Sequence, residues 1–258
     1  PTEGQAFVSG IDVWADPRAA KARMGVLPDG VRQFDRLAGR QLVTYSGLLR
    51  GMDRETVAQR TEDLLRAMDL VEAAGTAVQD YSAGMTKKIA LAAAMIHAPD
   101  LLVLDEPTTA LDVTTERQII ELVWDLQERL GSAVIWISHD LGVVRHISDR
   151  VAIMYLGRIV EQAPARDLYK APAHPYTERL LASIPRVDQK GQKLTAIEGL
   201  PPMLTNIPPG CAFNPRCPYA QDICRADPPP PLEQFTPQRA SACHFWKETL
   251  DGSQRVAS

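Results

Sequence analysis

Two adjacent carboxylates end an apolar run near the middle of the chain. The run Leu101–Leu104 leads directly into Asp105 and Glu106, and Pro107 follows. A buried strand that ends in Asp-Glu places both side chains at the carboxyl edge of a parallel sheet, where α/β proteins bind ligands. There an aspartate can hold Mg²⁺, and a glutamate can polarise an attacking water as general base. A strand-end pair that is merely solvated is the alternative.

Three small residues mark a second candidate site. Ser82, Ala83 and Gly84 stand at the start of a helix predicted over Ser82–His97. Bare backbone N–H groups at a helix N-terminus bind phosphate, and the helix dipole adds to the attraction. Ser82 contributes a hydroxyl donor, and Gly84 allows the backbone to approach a ligand closely. A serine N-cap with a neighbouring glycine and no ligand is the alternative.

Two further polar residues follow the carboxylates. Asp112 leaves the loop that begins at Asp105 and Glu106. His139 comes just after the predicted strand Ala133–Ile137, where it can reach a phosphate or orient a water molecule. A structural histidine is the alternative for this residue.

The spacing of apolar residues predicts the elements that position these groups. Strand Leu101–Leu104, a helix begun by a capping box at Thr115–Gln118 and strand Ala133–Ile137 alternate, which predicts an α/β fold with a parallel sheet. The apolar stretch Ile89–Ile96 indicates a buried helix. We also predict an N-cap at Asp53, a helix over Pro175–Ile184 and two hairpins, Phe7–Val8 with Ile11–Val13 and Val151–Tyr155 with Arg158–Glu161.

Composition narrows the class of protein. The 258 residues carry a net charge of −4, which gives no basic excess and argues against nucleic acid as the main partner. The apolar runs fall short of the roughly 20 residues that cross a membrane, and the N-terminus has no secretory pattern. These features are typical of an ordinary folded globular protein.

All four cysteines follow residue 210, at Cys211, Cys217, Cys224 and Cys243. Structural zinc usually uses pairs two to four residues apart, so the wider spacing here disfavours zinc. Four thiolates can instead hold a [4Fe–4S] cluster. Reduced thiols in a proline-rich tail are the alternative.

The order of these strings resembles the ATP-binding cassette (ABC) family, the ATPase subunits of membrane transporters. YSAGM stands where the family has its LSGGQ signature, LLVLDEP matches the Walker B strand, TALD matches the D-loop, and His139 matches the switch histidine. The resemblance implies that Asp105 serves Mg²⁺, Glu106 is the catalytic base and His139 contacts the γ-phosphate of ATP. It also implies that Ser82, Ala83 and Gly84 cover a nucleotide held by a second ABC subunit, and that Asp112 faces that subunit.

The sequence departs from the family pattern at three places. No G-x-x-x-x-G-K-[ST] occurs in the 258 residues, and in the family this Walker A loop lies upstream of the position where the sequence begins. We therefore expect a truncated P-loop NTPase (RecA-like) core that is inactive alone. Asp29 stands where many members have the Q-loop glutamine, with Gln33 four residues further on. Lys87 and Lys88 stand where importers have Gln-x-Gln-Arg.

The C-terminal strings resemble one subfamily. GRIVEQAP, HPYTERLLASIP and PPGCAFNPRCPYAQDIC are similar to the oligopeptide/dipeptide importer ATPases, and this resemblance implies a [4Fe–4S] cluster on the four cysteines. The first hundred residues resemble an ABC-2-type exporter ATPase, so a chimera joined near LDEP stays open. The predicted parts are an ATPase-core remnant (1–30), a helical signature subdomain (31–97), the Walker B core (98–163) and a Cys/Pro-rich extension (164–258).

The resulting hypothesis is an ATP-hydrolysing transporter subunit at the cytoplasmic face of the inner membrane. Its partners would be a second ABC ATPase subunit, identical or different, and transmembrane permease subunits, with oligopeptides or dipeptides as the imported cargo. The alternatives are an exporter-type ATPase, a half-site partner that supplies only the signature motif, and a non-enzymatic metal or redox module.

Overall fold

The computed structural model describes residues 4–30, 34–184 and 196–256. Gln33 and the segment 185–195 of the predicted extension lie outside these ranges. Contacts between residues divide the chain into an N-terminal unit, Pro1–His139, and a C-terminal unit, Asp140–Ser258. The predicted boundary between residues 163 and 164 falls inside the C-terminal unit, and the four-part division stays a prediction.

A three-stranded parallel sheet organises the N-terminal unit. Its strand order is β3-β4-β5, and Leu101 pairs with Ala133 at one end while Asp105 pairs with Ile137 at the other. The predicted parallel arrangement is therefore confirmed. The unit contains β1 (Phe7–Val8), β2 (Ile11–Asp12), β3 (Met24–Leu27), β4 (Leu101–Asp105), β5 (Ala133–Ile137), α1 (Pro17–Ala22), α2 (Gly39–Leu49), α3 (Arg54–Ala67), α4 (Ala83–Met95) and α5 (Val113–Leu130).

Helix α4 lies in the core of this unit, which confirms the predicted buried helix. Ile89, Leu91 and Ile96 are fully buried, and Leu102 and Leu104 of β4 belong to the same core. Full burial of one such side chain contributes roughly 1.5–3 kcal/mol. The apolar core therefore fixes α4 against α2, α3 and the sheet, and with it the polar residues at the start of α4.

Two helix starts were predicted correctly and one was not. The Asp53 carboxylate accepts a hydrogen bond from Thr56 N at 2.8 Å, and Ser82 is the N-cap of α4. The capping box at Thr115–Gln118 is wrong, because α5 begins at Val113 and Asp112 is its N-cap. Thr115 lies one turn inside the helix, where its hydroxyl donates to the Asp112 carboxylate instead of capping a backbone N–H.

The C-terminal unit is built on an antiparallel sheet of order β6-β7-β9-β8. The predicted hairpin is confirmed as β6 and β7, but β8 and β9 arise in the extension, where no periodicity was found. Phe213, Ile153 and Leu168 lie in the core of the unit. Its elements are α6 (Leu141–Ile147), β6 (Arg150–Tyr155), β7 (Arg158–Pro164), α7 (Ala165–Lys170), α8 (Pro175–Ala182), β8 (Glu233–Thr236), β9 (Arg239–Ser241) and α9 (Trp246–Val256). Within the described ranges, no helix has the length and apolar character needed to cross a membrane.

Candidate active site

The carboxyl edge of the parallel sheet gathers two of the predicted site residues. Glu106 follows β4 and His139 follows β5, and these two strands are hydrogen-bonded neighbours. Glu106 Oε1 lies 2.8 Å from His139 Nδ1 and accepts the His139 backbone N–H at 3.1 Å. The second carboxylate oxygen accepts the Thr109 hydroxyl at 2.6 Å. Both oxygens of Glu106 are thus held in place.

These contacts set the charge state of Glu106. Partial burial raises the pKa of its carboxyl, but the hydrogen bonds from Thr109 and His139 outweigh burial and leave the pKa below its ordinary value. Glu106 is therefore ionised at neutral pH, as a general base must be before it takes a proton. Since a carboxylate can only accept, His139 donates from Nδ1 in this contact.

The backbone of Glu106 adopts an unusual conformation. Its φ is +47°, in the left-handed region that non-glycine residues enter at a cost of on the order of 1–2 kcal/mol. The Glu106 N–H donates to the carbonyl of Ile137 at 3.0 Å, and its own carbonyl accepts from Lys87 Nζ at 2.7 Å. Lys87 Nζ also lies 3.6 Å from Asp29 Oδ1. The sequence analysis did not predict these contacts of Lys87. The only indication in the sequence was the pair of opposite charges at positions 29 and 87, where the family pattern has other residues.

Asp105 is the last residue of β4 and is partly buried at the same edge. Carboxylate oxygens are the ligands that Mg²⁺ prefers, and a strand-end aspartate beside the base suits a shared Mg²⁺–nucleotide site. The residue type and position therefore fit the metal. The role of Asp105 stays a prediction.

The signature residues form the first turn of α4. Ser82 is exposed and its Oγ accepts the Met85 N–H at 3.3 Å, while Ala83 is the first helical residue. A hydroxyl that accepts one hydrogen bond can still donate another. This turn can therefore present a hydroxyl and backbone N–H groups to an anion, as predicted, and its role stays a prediction.

Asp112 and Gly84 meet at the same side chain, Thr115. The Asp112 carboxylate accepts the backbone N–H groups of Thr114 and Thr115 at 3.0 Å each, and the Thr115 hydroxyl at 2.7 Å. The hydrogen bonds from Thr115 hold the pKa of Asp112 below its ordinary value. On the other side, a Cβ added at Gly84 would lie 2.6 Å from Thr115 Cγ2. Thr115 therefore lies between the first turn of α4 and the loop residue Asp112 of the same chain.

The four cysteines line one cavity in the C-terminal unit, together with His174, Phe213, His244 and other residues. The cavity has a volume of about 20 Å³, room for little more than one water molecule. Burial raises the pKa of the Cys217 thiol to about 11 and that of Cys243 to about 12, and the neighbouring thiols add to both effects. The cysteines therefore lie close enough to influence one another.

The four cysteines match a [4Fe–4S] cluster in residue type and number, and the cluster stays a prediction. Among the described residues, no three His, Cys, Asp or Glu side chains are placed to hold one metal ion. A [4Fe–4S] cluster differs because its four thiolates each bind a different iron atom, which keeps the sulfurs further apart. Four cysteines around one cavity satisfy that requirement in residue type and number.

Comparison with known proteins decides the family. The "ABC transporter" family profile matches residues 1–109, and the "Oligopeptide/dipeptide transporter, C-terminal region" profile matches residues 160–224. The probable peptide ABC transporter ATP-binding protein y4tS of Sinorhizobium fredii is 41% identical over 255 residues, which cover 95% of this chain and 71% of that protein. The chain belongs to the ATP-binding proteins of ABC transporters. The resemblance on which the site residues were assigned is therefore confirmed at the level of the family.

Other ABC proteins match over shorter stretches. The oligopeptide transport ATP-binding protein OppD of Salmonella typhimurium is 42% identical over 208 residues, and this ABC chain spans 62% of its length. The structure of the ATP-binding cassette MJ0796 bound to ADP and phosphate has a TM-score of 0.57 at 23% identity, covering 64% of this chain and 75% of that one. A structure of cbiO1 from Clostridium perfringens has a TM-score of 0.59 at 22% identity, covering 66% and 69%. These structures support the fold, which is the mixed α/β fold of P-loop NTPases.

Proposed function

We propose that this chain is the ATP-binding and ATP-hydrolysing subunit of an ABC transporter. Glu106 is the general base that activates the attacking water, and His139 contacts the γ-phosphate. Asp105 holds Mg²⁺, whose charge offsets that of the phosphates when it is bound. The contact that best supports these roles is the 2.8 Å approach of Glu106 Oε1 to His139 Nδ1, because it joins a base to a phosphate-binding side chain at adjacent strand ends.

The signature turn acts on a nucleotide held by a second ABC ATPase subunit, identical or different. Ser82 and the backbone N–H groups of Ala83 and Gly84 cover its γ-phosphate, and Asp112 faces that subunit. The exposure of Ser82 and Ala83 at the first turn of a long helix supports this role. The competing function is a half-site partner, in which only the signature turn contributes and Glu106 does not act.

The transported cargo is an oligopeptide or dipeptide moved inward through permease subunits, with this chain at the cytoplasmic face of the membrane. The match of residues 160–224 to the oligopeptide/dipeptide transporter profile supports the cargo class. The relative y4tS, a probable peptide ABC transporter ATP-binding protein, aligns with 95% of the chain, which supports a peptide cargo.

Glu106 is tested in a fusion that places a G-x-x-x-x-G-K-[ST] segment from an ABC relative before Pro1. We expect ATP turnover by this fusion, and Glu106→Gln should lower kcat by roughly 10²–10⁴-fold, the usual contribution of a general base. Glu116→Gln, on the first turn of α5, is the matched control and should keep full turnover. Unchanged turnover in Glu106→Gln would contradict the assignment.

A mixing experiment separates the ATPase from the half-site partner. The unfused chain is mixed with a Walker A-bearing ABC subunit whose own signature serine is replaced. Restored turnover that Ser82→Ala abolishes supports the signature role. If that turnover appears while the fusion protein stays inactive, the half-site function replaces the hydrolytic one.

The same proposal includes a [4Fe–4S] cluster, which is held by Cys211, Cys217, Cys224 and Cys243. When bound, it can accept an electron and tie distant segments of the extension together. The cavity shared by the four thiols supports this assignment. Anaerobic purification should give about four iron and four sulfide per chain, as four-cysteine ligation requires. Cys211→Ser that keeps its full iron content would favour the reduced thiols instead.

A further inference from the structure

Lys87 links the signature helix to the backbone carbonyl of Glu106 in the same chain. It lies on the second turn of α4, and its side chain is only 18% exposed. Its Nζ atom donates to the Glu106 carbonyl at 2.7 Å, across the sheet edge from the helix. A hydrogen bond from a charged donor is about twice as strong as a neutral one. Lys87 is therefore a strong restraint on the backbone at Glu106.

The restraint acts on a residue whose backbone conformation is unfavourable. Glu106 is left-handed at φ +47°, and this conformation turns its side chain toward the His139 backbone N–H and imidazole. The N–H of Glu106 is bound to Ile137, and its carbonyl is bound to Lys87. Without the ammonium, one side of this peptide loses its strongest anchor.

Asp29 supplies the opposite charge. Its Oδ1 lies 3.6 Å from Lys87 Nζ, and it comes shortly after β3, the strand next to β4. Positions 29 and 87 are both departures from the family pattern, and they face each other with opposite charges. The two substitutions therefore support one another, because each supplies the partner that the other needs.

We propose that Lys87 is a positioning residue that holds Glu106 in its catalytic backbone conformation, and that Asp29 orients the Lys87 ammonium. The inference rests on the proposed function only in taking Glu106 as the base. The geometry that it explains lies within a single chain.

The test is NMR of the 258-residue chain with ¹⁵N-labelled histidine. In the wild type, His139 should show a protonated Nδ1 and a strongly hydrogen-bonded backbone amide, both from contact with Glu106. Lys87→Met should remove both signatures, and Lys87→Arg should restore the amide signal. Lys88→Met is the matched control, on the same helix one residue further on, and should leave His139 unchanged. Asp29→Asn, an exposed substitution, should shift the His139 signals in the same direction by a smaller amount. In the double variant with Lys87→Met, Asp29→Asn should add no further shift of these signals.

Two results would overturn the proposal. If Lys87→Met lowers the melting temperature while the His139 signals stay in place, Lys87 is only a packing residue. If the imidazole alone shifts and the shift disappears at about 1 M salt, the effect is a long-range field that ions screen. Should Lys87→Met not fold, Asp29→Asn and Lys87→Arg carry the same comparison.

Turnover distinguishes this proposal from the proposed function. In the Walker A fusion, Lys87→Met should lower kcat by roughly tenfold to a hundredfold at unchanged KM, as a small displacement of a catalytic group does. An inactive fusion with intact NMR effects contradicts the ATPase and leaves the positioning role standing. An active fusion in which Lys87→Met changes neither kcat nor His139 contradicts the positioning role alone.

Discussion

Thr115 closes the space in front of Gly84. An added Cβ at Gly84 would come within 2.6 Å of Thr115 Cγ2, closer than side-chain contacts allow. The Thr115 hydroxyl is bound to Asp112 at 2.7 Å, so the methyl group cannot turn away without breaking that hydrogen bond. The glycine is thus required by a neighbouring side chain, whatever its role in binding.

Gly84→Ala should destabilise the chain. Overpacking typically costs about 1–3 kcal/mol, and the higher helix propensity of alanine returns up to about 1 kcal/mol. Urea denaturation measures the difference. The double variant Gly84→Ala with Thr115→Ser should recover the loss, because serine keeps the hydroxyl and lacks the methyl. Gly75→Ala, where a new Cβ meets nothing within 4 Å, is the control, and an equal loss there would contradict the steric explanation.

His97 should make stability depend on pH. Burial, with help from the charge of Arg50, lowers the pKa of its imidazole to about 4. The unfolded chain binds a proton near pH 6.5 and the folded chain does not, so stability is full above that pH and falls as the pH drops toward 4. In His97→Gln this slope should be shallower, as measured by urea midpoints between pH 7 and pH 5. The exposed His146→Gln should keep the wild-type slope, and an unchanged slope in His97→Gln would refute the effect.

Glu161 should act with the opposite sign. It is fully buried, and its two oxygens accept the N–H groups of Ala173 at 2.7 Å and His174 at 3.0 Å. Burial nevertheless raises the pKa of Glu161 to about 7, against the opposing hydrogen bonds. The folded chain keeps its proton while the unfolded chain releases it, so stability falls by up to about 3 kcal/mol as pH rises from about 4.5 to about 7.

Glu161→Gln removes the titrating group and should flatten this fall. The stability gap between wild type and variant is expected to shrink from pH 5 to pH 8, as followed by denaturant unfolding. Glu233→Gln, an exposed substitution on β8, provides the comparison. A gap that widens with pH would show that the carboxylate is stabilised as an anion.

The cysteine thiols should react slowly when metal is absent. A pKa of about 11 for Cys217, two units above the ordinary 9.0, leaves about 100-fold less thiolate at pH 8, and the thiolate is the reactive form. Iodoacetamide labelling followed by mass spectrometry should therefore be at least tenfold slower than in the urea-unfolded chain. Equal rates in the two states would mean that the thiols are not buried as described.

The sequence predicted the elements whose signals are local. Asp53 and Ser82 cap helices through hydrogen bonds to residues three positions on, so the residue type alone reveals them. At Thr115 the same reasoning failed. The Asp112 carboxylate and the Thr115 hydroxyl lie three residues apart and either could cap a helix, so only the geometry shows that Asp112 is the N-cap. The order of motifs gave Glu106 and His139, and the structure placed them in contact.

Other features depend on partners far away in the chain. Strands β8 and β9 are three or four residues long and gain their hydrogen bonds from each other and from β7, so they leave no periodic pattern. Lys87 finds its acceptor on another element, and nothing in its neighbourhood of the sequence indicates that contact. Residue type could flag Lys87 as unusual, but only the fold shows what it touches.

Helix α4 carries residues of two proposed roles, Ser82 at its start and Lys87 on its second turn. At 1.5 Å per residue, Ser82 and Lys87 lie about 7.5 Å apart along the helix axis. Lys87 donates a hydrogen bond to the backbone carbonyl of Glu106. A displacement of the first turn along the helix axis would therefore also move Lys87 and the Glu106 peptide to which it donates.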